Sequence, residues 1–148
     1  MHTVPLDRRE HEALDDQTAA MQARIQPFFG GALGVRLTSV TEEGVTAELL
    51  VRDDLCTVPG VCHGGALMAF ADQLGAVGTS MHLPPGAGTT TIESKTNFYR
   101  PGIAGTTLTA ECRPVNLGRR LHTWQTNLRG SDGKLVAQVT QTQMVLEG

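Results

Sequence analysis

The chain of 148 residues has few aromatic residues: one Trp, one Tyr and four Phe, 4% in all. Its core must therefore rest mainly on Val, Leu, Ala, Met and Ile. Only three cysteines are present, Cys56, Cys62 and Cys112. An odd and sparse set argues against a disulfide framework. The spacing of Cys56, Cys62 and His63 lacks the close Cys pairs of a zinc site, so no metal is expected and the thiols read as small buried groups. No apolar run reaches the roughly 18 residues of a transmembrane helix. The opening MHTVPLDRREHEALDD has no apolar stretch of a signal peptide. The net charge is only −3, which excludes the strongly basic footprint of a nucleic-acid binder. A hydrophobic content of 40% with 18% charged residues is not the composition of a disordered chain. There are no repeats. The expectation is one cytoplasmic domain over 1–148, with neither nucleic acid nor membrane as partner.

Residues 10–26 read as a helix, with Leu14, Thr18, Met21 and Ile25 on one face and Pro27 as its end. Phe28, Phe29, Gly30 and Gly31 follow as an apolar turn that either plugs into the core or hangs over a pocket. Two strands come next. One opens at Val35 and Leu37 and ends near Thr41. In the other, from Val45 to Val51, the residues Val45, Ala47, Leu49 and Val51 alternate with Thr46, Glu48 and Leu50. Residues 52–62 read as a loop.

Residues 63–81, HGGALMAFADQLGAVGTSM, are apolar nearly all round a helical wheel, which predicts a buried helix. Gly75 and Gly78 lower its helix propensity but let it sit close to a neighbour. The remainder predicts four strands, near 89–99, 105–116, 120–129 and 134–146, separated by Gly- and Pro-bearing turns. This order fits an α+β architecture. A six-stranded antiparallel sheet wraps round one central helix, with an extra N-terminal helix in residues 1–32 and the core in 33–146.

Chemistry concentrates on the buried helix. Gly64 and Gly65 at its start leave backbone N–H groups uncrowded, and with the helix dipole these can bind an oxyanion. They can equally serve close packing. Asp72 lies inside the helix, where a carboxylate is costly unless paired or used. It is either a structural partner or a tuned base or nucleophile. Nine residues separate it from His63, about half a turn round and about 13.5 Å along the axis. One helix therefore cannot aim both its N-terminus and Asp72 at one carbonyl. If both act, they come from two copies of the helix in a two-fold dimer. His63 either orients its loop or serves as acid–base group. Arg119 and Arg120 either grip phosphates or form a solvated turn.

The order and spacing of Gly60-Val61-Cys62-His63-Gly64-Gly65, Asp72, Asn97-Phe98-Tyr99-Arg100-Pro101, Gly118-Arg119-Arg120 and Asp132-Gly133-Lys134-Leu135-Val136-Ala137 are similar to those of hotdog-fold thioesterases of the phenylacetate-pathway, PaaI-like group. The similarity covers roughly residues 33–146. It implies hydrolysis of an aryl- or medium-chain acyl-CoA by a homodimer, commonly a dimer of dimers, with no cofactor because CoA is part of the substrate. Asp72 would be the catalytic carboxylate, and Gly64 with Gly65 would hold the thioester carbonyl. Thr91, or Thr90, would supply a hydroxyl that positions water. Arg100, Arg119 and Arg120 would bind the CoA phosphates. Leu67, Met68, Phe70, Leu74 and Phe28 or Phe29 would line the acyl pocket between subunits, or else belong to the core. The family often has Asn where this chain has Thr57, which bears on the substrate range. A dehydratase of the same fold pairs its carboxylate with a His fourteen residues earlier, and that position is Val58. A binding module without catalysis is the remaining alternative, to be separated by the effect of removing Asp72.

Overall fold

The computed structural model describes residues 14–148. Helix α1 spans Asp16–Ile25. Asp15 caps it by accepting a hydrogen bond from the Thr18 backbone N–H at 2.8 Å, which satisfies one of the otherwise unpaired N–H groups of a helix start. The part of the expected helix before residue 14 lies outside the described residues. Thr18, Met21 and Ile25 are buried as one face. Leu14 departs from that expectation: it precedes the cap and is 39% exposed. The cap reorients the chain, so the helical period does not extend back across it. Thr18 Oγ1 accepts from the Val40 N–H, and Gln22 Oε1 from the Leu37 N–H, fastening α1 to the first strand.

After Pro27 a short helix, α2, spans Phe29–Leu33 where the sequence suggested an apolar turn. Strand β1 (Arg36–Thr41) and strand β2 (Gly44–Leu50) form a hairpin. Val45, Ala47 and Leu49 of β2 face inward as their alternation requires. The expected loop 52–62 is a correction. A single 3-10 turn at Asp53–Leu55 leads into a second hairpin, β3 (Cys56–Val58) and β4 (Val61–Cys62). Its turn is Pro59-Gly60, with Gly60 at φ 85°. Proline followed by a left-handed glycine is the signature of a type II turn.

Helix α3 runs over Gly64–Ser80. Strands β5 (Gly88–Phe98), β6 (Thr107–Leu117), β7 (Leu121–Arg129) and β8 (Leu135–Leu146) complete the main sheet. That sheet is antiparallel throughout, in the order β1-β2-β6-β7-β8-β5. The sheet curls round α3. Phe70 and Leu74 of the helix and Leu37, Leu49, Leu108, Trp124 and Leu128 of the strands are fully buried between them. Each such side chain contributes about 1.5–3 kcal/mol through burial. The two mid-helix glycines are explained by contact. A Cβ at Gly78 would lie 2.8 Å from the Trp124 ring, and one at Gly75 would collide with the Gln141 amide.

The helix is not buried all round as its composition suggested. Leu67, Phe70, Ala71, Leu74, Gly75, Val77, Gly78 and Thr79 are buried, but Gly65 and Met68 are exposed and Asp72 is half-buried. Residues three and four apart share a helix face, so these three form an open stripe. Strand β5 is an edge of the main sheet, and Ile92 and Phe98 on it are more than half exposed. No described helix is long and apolar enough to cross a membrane.

Candidate active site

The N-terminus of α3 is built by its own sequence. His63 is the cap residue, and its Nδ1 accepts from the Gly65 N–H at 2.7 Å. The ring proton of a neutral His63 therefore sits on Nε2. Ala66 and Leu67 donate to the His63 carbonyl. Among the described residues the Gly64 N–H has no partner, so the helix start presents one free donor backed by the helix dipole. Gly64 sits close to Phe98: a Cβ there would stand 3.2 Å from the ring, which would have to shift slightly.

Gly64 opens into a cleft of about 400 Å³ shared with Val61, Leu67, Phe98, Tyr99 and Arg100. Arg100 is exposed and donates from Nη1 to the Leu135 carbonyl at 2.8 Å. Cys62 also lines this cleft. Burial, aided by neighbouring Cys56, pushes its thiol pKa up, so it is not an activated nucleophile. On the other side of the helix start, Phe29, Ala32, Leu33, Leu55, His63 and Ala66 line a second cleft of about 310 Å³.

Asp72 lies eight residues beyond Gly64, about 12 Å along the helix, and does not line either cleft. Its partner is Thr91 on β5, whose Oγ1 donates to Asp72 Oδ1 at 2.6 Å. Between the two candidate threonines, it is Thr91 that reaches the carboxylate. Thr90 alternates to the opposite face and is exposed. Beneath Thr91 lie two residues that the sequence reading missed. Gln143 Nε2 donates to Thr91 Oγ1 at 2.6 Å and to Gln141 Oε1 at 2.8 Å, and Gln141 Nε2 donates to the Ala71 carbonyl at 2.8 Å. Both glutamines are buried. A signal existed in β8: Val139, Gln141, Gln143 and Val145 share one face at period two, and an amide at an inward position requires a partner.

The other expected residues lie apart. Thr57 is exposed on β3, beside Pro59 and Gly60. Arg119 and Arg120 are exposed in the β6–β7 turn. The Arg120 carbonyl accepts from the Val145 N–H, and Val145 pairs with Thr89. Arg100 stands eleven residues past Thr89, about 35 Å along an extended strand. Arg100 and the Arg119-Arg120 pair thus lie by opposite ends of β5. Phe70 and Leu74 have no exposed surface, so of the two places open to them, pocket wall and core, they take the core. Leu67 does line the Gly64 cleft. Phe29 lines the second cleft, whereas Phe28 is 72% exposed. Met68, 39% exposed, sits on the open stripe one turn before Asp72.

A free helix-terminal N–H, a half-buried carboxylate held by a hydroxyl and an arginine-bearing cleft form a set suited to acyl transfer. Comparison with known proteins agrees. The profile of the thioesterase superfamily matches residues 59–137, more than half of the chain. The PA1618 protein of Pseudomonas aeruginosa is 32% identical over 127 residues, covering 80% of this chain and 83% of that protein. The crystal structure of a variant of thioesterase PA1618 superposes with a TM-score of 0.82 at 27% identity, covering 87% of this chain and 93% of that one. Thioesterase HI1161 from Haemophilus influenzae superposes with a TM-score of 0.82 at 25% identity, covering 88% and 90%. The chain belongs to the thioesterase superfamily, as a thioester hydrolase with the hotdog fold.

Proposed function

We propose that the protein hydrolyses an aryl- or medium-chain acyl-CoA to the free acid and CoA, with each active site shared between two copies of the chain. The observation that carries the reading is the Asp72–Thr91 hydrogen bond on an open helix stripe, with the free Gly64 N–H about 12 Å away along the same helix. Two antiparallel copies of α3, each presenting its stripe of Gly65, Met68 and Asp72, would bring the Asp72 of one to the Gly64 of the other. The edge position of β5 supports the same pairing, since an edge strand leaves N–H and C=O groups for another chain. The exposed apolar side chains of Leu117, Leu121, Met144 and Leu146 suit a further contact between dimers.

In this reading the thioester carbonyl accepts from the Gly64 N–H. Thr91 holds one oxygen of Asp72, and the other takes a proton from the attacking water. The tetrahedral oxyanion is stabilised by the helix N-terminus. Collapse breaks the C–S bond, and CoA leaves as a thiolate that takes up the proton. His63 shapes the helix start through its cap, and Met68 flanks the acyl group. Arg100 in the Gly64 cleft is placed for a CoA phosphate. Arg119 and Arg120, about 35 Å away in the same chain, reach that ligand only from another subunit. Thr57, exposed on the hairpin, bears on which acyl group is accepted.

The test is hydrolysis of a panel of aromatic and aliphatic acyl-CoAs, followed by thiol release. Wild type and Asp72→Asn are run side by side, with folding and oligomeric state checked for both. Turnover lost in the variant supports the reading and the panel ranks substrates. Undiminished turnover in a folded variant removes Asp72 from the chemistry. In single turnover in ¹⁸O-water, label in Asp72 shows a nucleophile, through a mixed anhydride opened by water at the Asp72 carbonyl.

A further inference from the structure

We propose that Gln143 of β8 is a positioning residue that fixes the direction of the hydrogen bond between Thr91 and Asp72; the inference rests on Asp72 being the catalytic carboxylate. The chain of contacts starts at the Ala71 carbonyl, which can only accept. Gln141 lies 2.8 Å from it and must present its NH₂ there, leaving its own carbonyl oxygen to face Gln143. That oxygen is 2.8 Å from Gln143, so Gln143 must also present its NH₂. The same nitrogen is 2.6 Å from Thr91 Oγ1. Thr91 therefore accepts from Gln143, and its single proton is left for Asp72 Oδ1 at 2.6 Å. The Thr89 hydroxyl lies 3.0 Å from both Gln143 Oε1 and the Met144 carbonyl and has one proton for the two, so the sense of the amide is set from the Gln141 side.

One backbone acceptor thus sets the sense of every bond up to the carboxylate. A hydroxyl that can rotate donates to a carboxylate or accepts from a carboxylic acid. With Gln143 donating to Thr91 and no other acceptor bonded to that hydroxyl among the described residues, the Thr91 proton goes to Asp72 Oδ1, and Oδ2 is the oxygen left for water. The charged groups of the same strand, Glu93 and Lys95, are exposed, and neither forms an ion pair with Asp72 among the described residues. Gly75 belongs to the device as well, because a Cβ there would displace the Gln141 amide.

The experiment compares wild type, Gln143→Met, Thr91→Val and the double variant, with folding confirmed for each. Methionine matches the shape of glutamine without its donors. Gln143→Thr, whose hydroxyl stops short of Thr91, supplies a second substitution if the first does not fold. The NMR shift of the Asp72 carboxyl carbon is read at one neutral pH without substrate, and kcat and KM are measured. Gln143→Met is expected to move that shift in the same direction as Thr91→Val and to lower kcat by about tenfold with KM unchanged. The double variant should be no worse than Thr91→Val alone, since Gln143 acts through Thr91, and Thr91→Ser should keep the wild-type profile. An unmoved carboxyl-carbon shift in a folded variant, or losses that multiply in the double variant, would overturn the proposal. Because that shift is read without substrate, it decides the role of Gln143 even if Asp72→Asn retains turnover.

Discussion

Two threonines join α3 to the sheet, and they do it in opposite senses. Near the middle of the helix, Thr91 reaches up from β5 to Asp72. Toward its C-terminal end, Thr79 reaches down to β7, accepting from Trp124 Nε1 at 2.8 Å and lying 3.1 Å from His122 Nδ1. His82 stacks edge-on against His122 with ring centroids 6.0 Å apart. The Thr79 cluster is closed, with Thr79 and Trp124 fully buried and His122 at 4% exposure. The Thr91 cluster is buried at its base and ends at the surface, on a carboxylate with one oxygen uncommitted. A buried polar network that closes on itself holds a core together. One that ends on an ionisable group at an open face can also do chemistry. The fold uses the same device twice, and the location of the last group separates the two uses.

The contrast breaks most sharply at Asp72 in the middle of α3 and at Thr79 near its C-terminal end. Asp72→Ala is expected to lower turnover by about 10²-fold or more, the scale of lost acid–base help. Steady-state kinetics on the best acyl-CoA, with thermal unfolding as a control, would show a chemical loss and little change in stability. Thr79→Val should do the reverse. It leaves the Trp124 N–H unpaired in the core and should cost about 1–3 kcal/mol of stability. Denaturant melts would measure this, while kcat per folded molecule stays within about twofold.

Titration sharpens the comparison. Burial first, and then the neighbouring His82, hold the His122 pKa below its ordinary 6.5. The unfolded chain therefore takes up a proton that folded His122 refuses. Stability should fall as pH drops below about 6.5 toward the depressed folded value. Denaturant melts between pH 7.5 and 5.5 should show that slope, and His122→Asn should flatten it. A slope unchanged by the substitution would assign it to other histidines. The smallest effect is expected outside both clusters. Arg119→Ala should raise KM several-fold with kcat nearly constant, as for a contact made equally in ground and transition states. An unchanged KM would return Arg119 to the status of a solvated turn residue.

Much of this was legible in the residues. The alternation at Val45–Leu49 gave β2 its inward face, and the apolar density of 63–81 marked the central helix. Turn residues such as Asp132-Gly133 marked the strand ends, and Gly133 adopts φ 79°. The β3–β4 hairpin was missed although Pro59-Gly60 announces it, because three- and two-residue strands carry too little pattern to outweigh a loop. Leu14 was misplaced because a helical period has no marker for where a cap interrupts it. Asp72 stood out as a carboxylate in an apolar helix. Gln141 and Gln143 did not, because their neighbours Thr140 and Thr142 are polar too and hid the alternation.

By itself, the sequence determined the central helix, the six strands of the main sheet and the inward face of β2, and that Gly64 and Asp72 of one helix cannot serve one carbonyl. These follow from periods and turns of a few residues, where local sterics and the drive to bury apolar surface suffice. Only the tertiary structure decided that Thr91 rather than Thr90 meets Asp72, that Gln143 stands behind it, and that Arg100 and Arg119 lie at opposite ends of the sheet. The Thr91–Asp72 and Gln143–Thr91 contacts join residues 19 and 52 positions apart. Their partners are fixed by strand order and register, which no local pattern encodes.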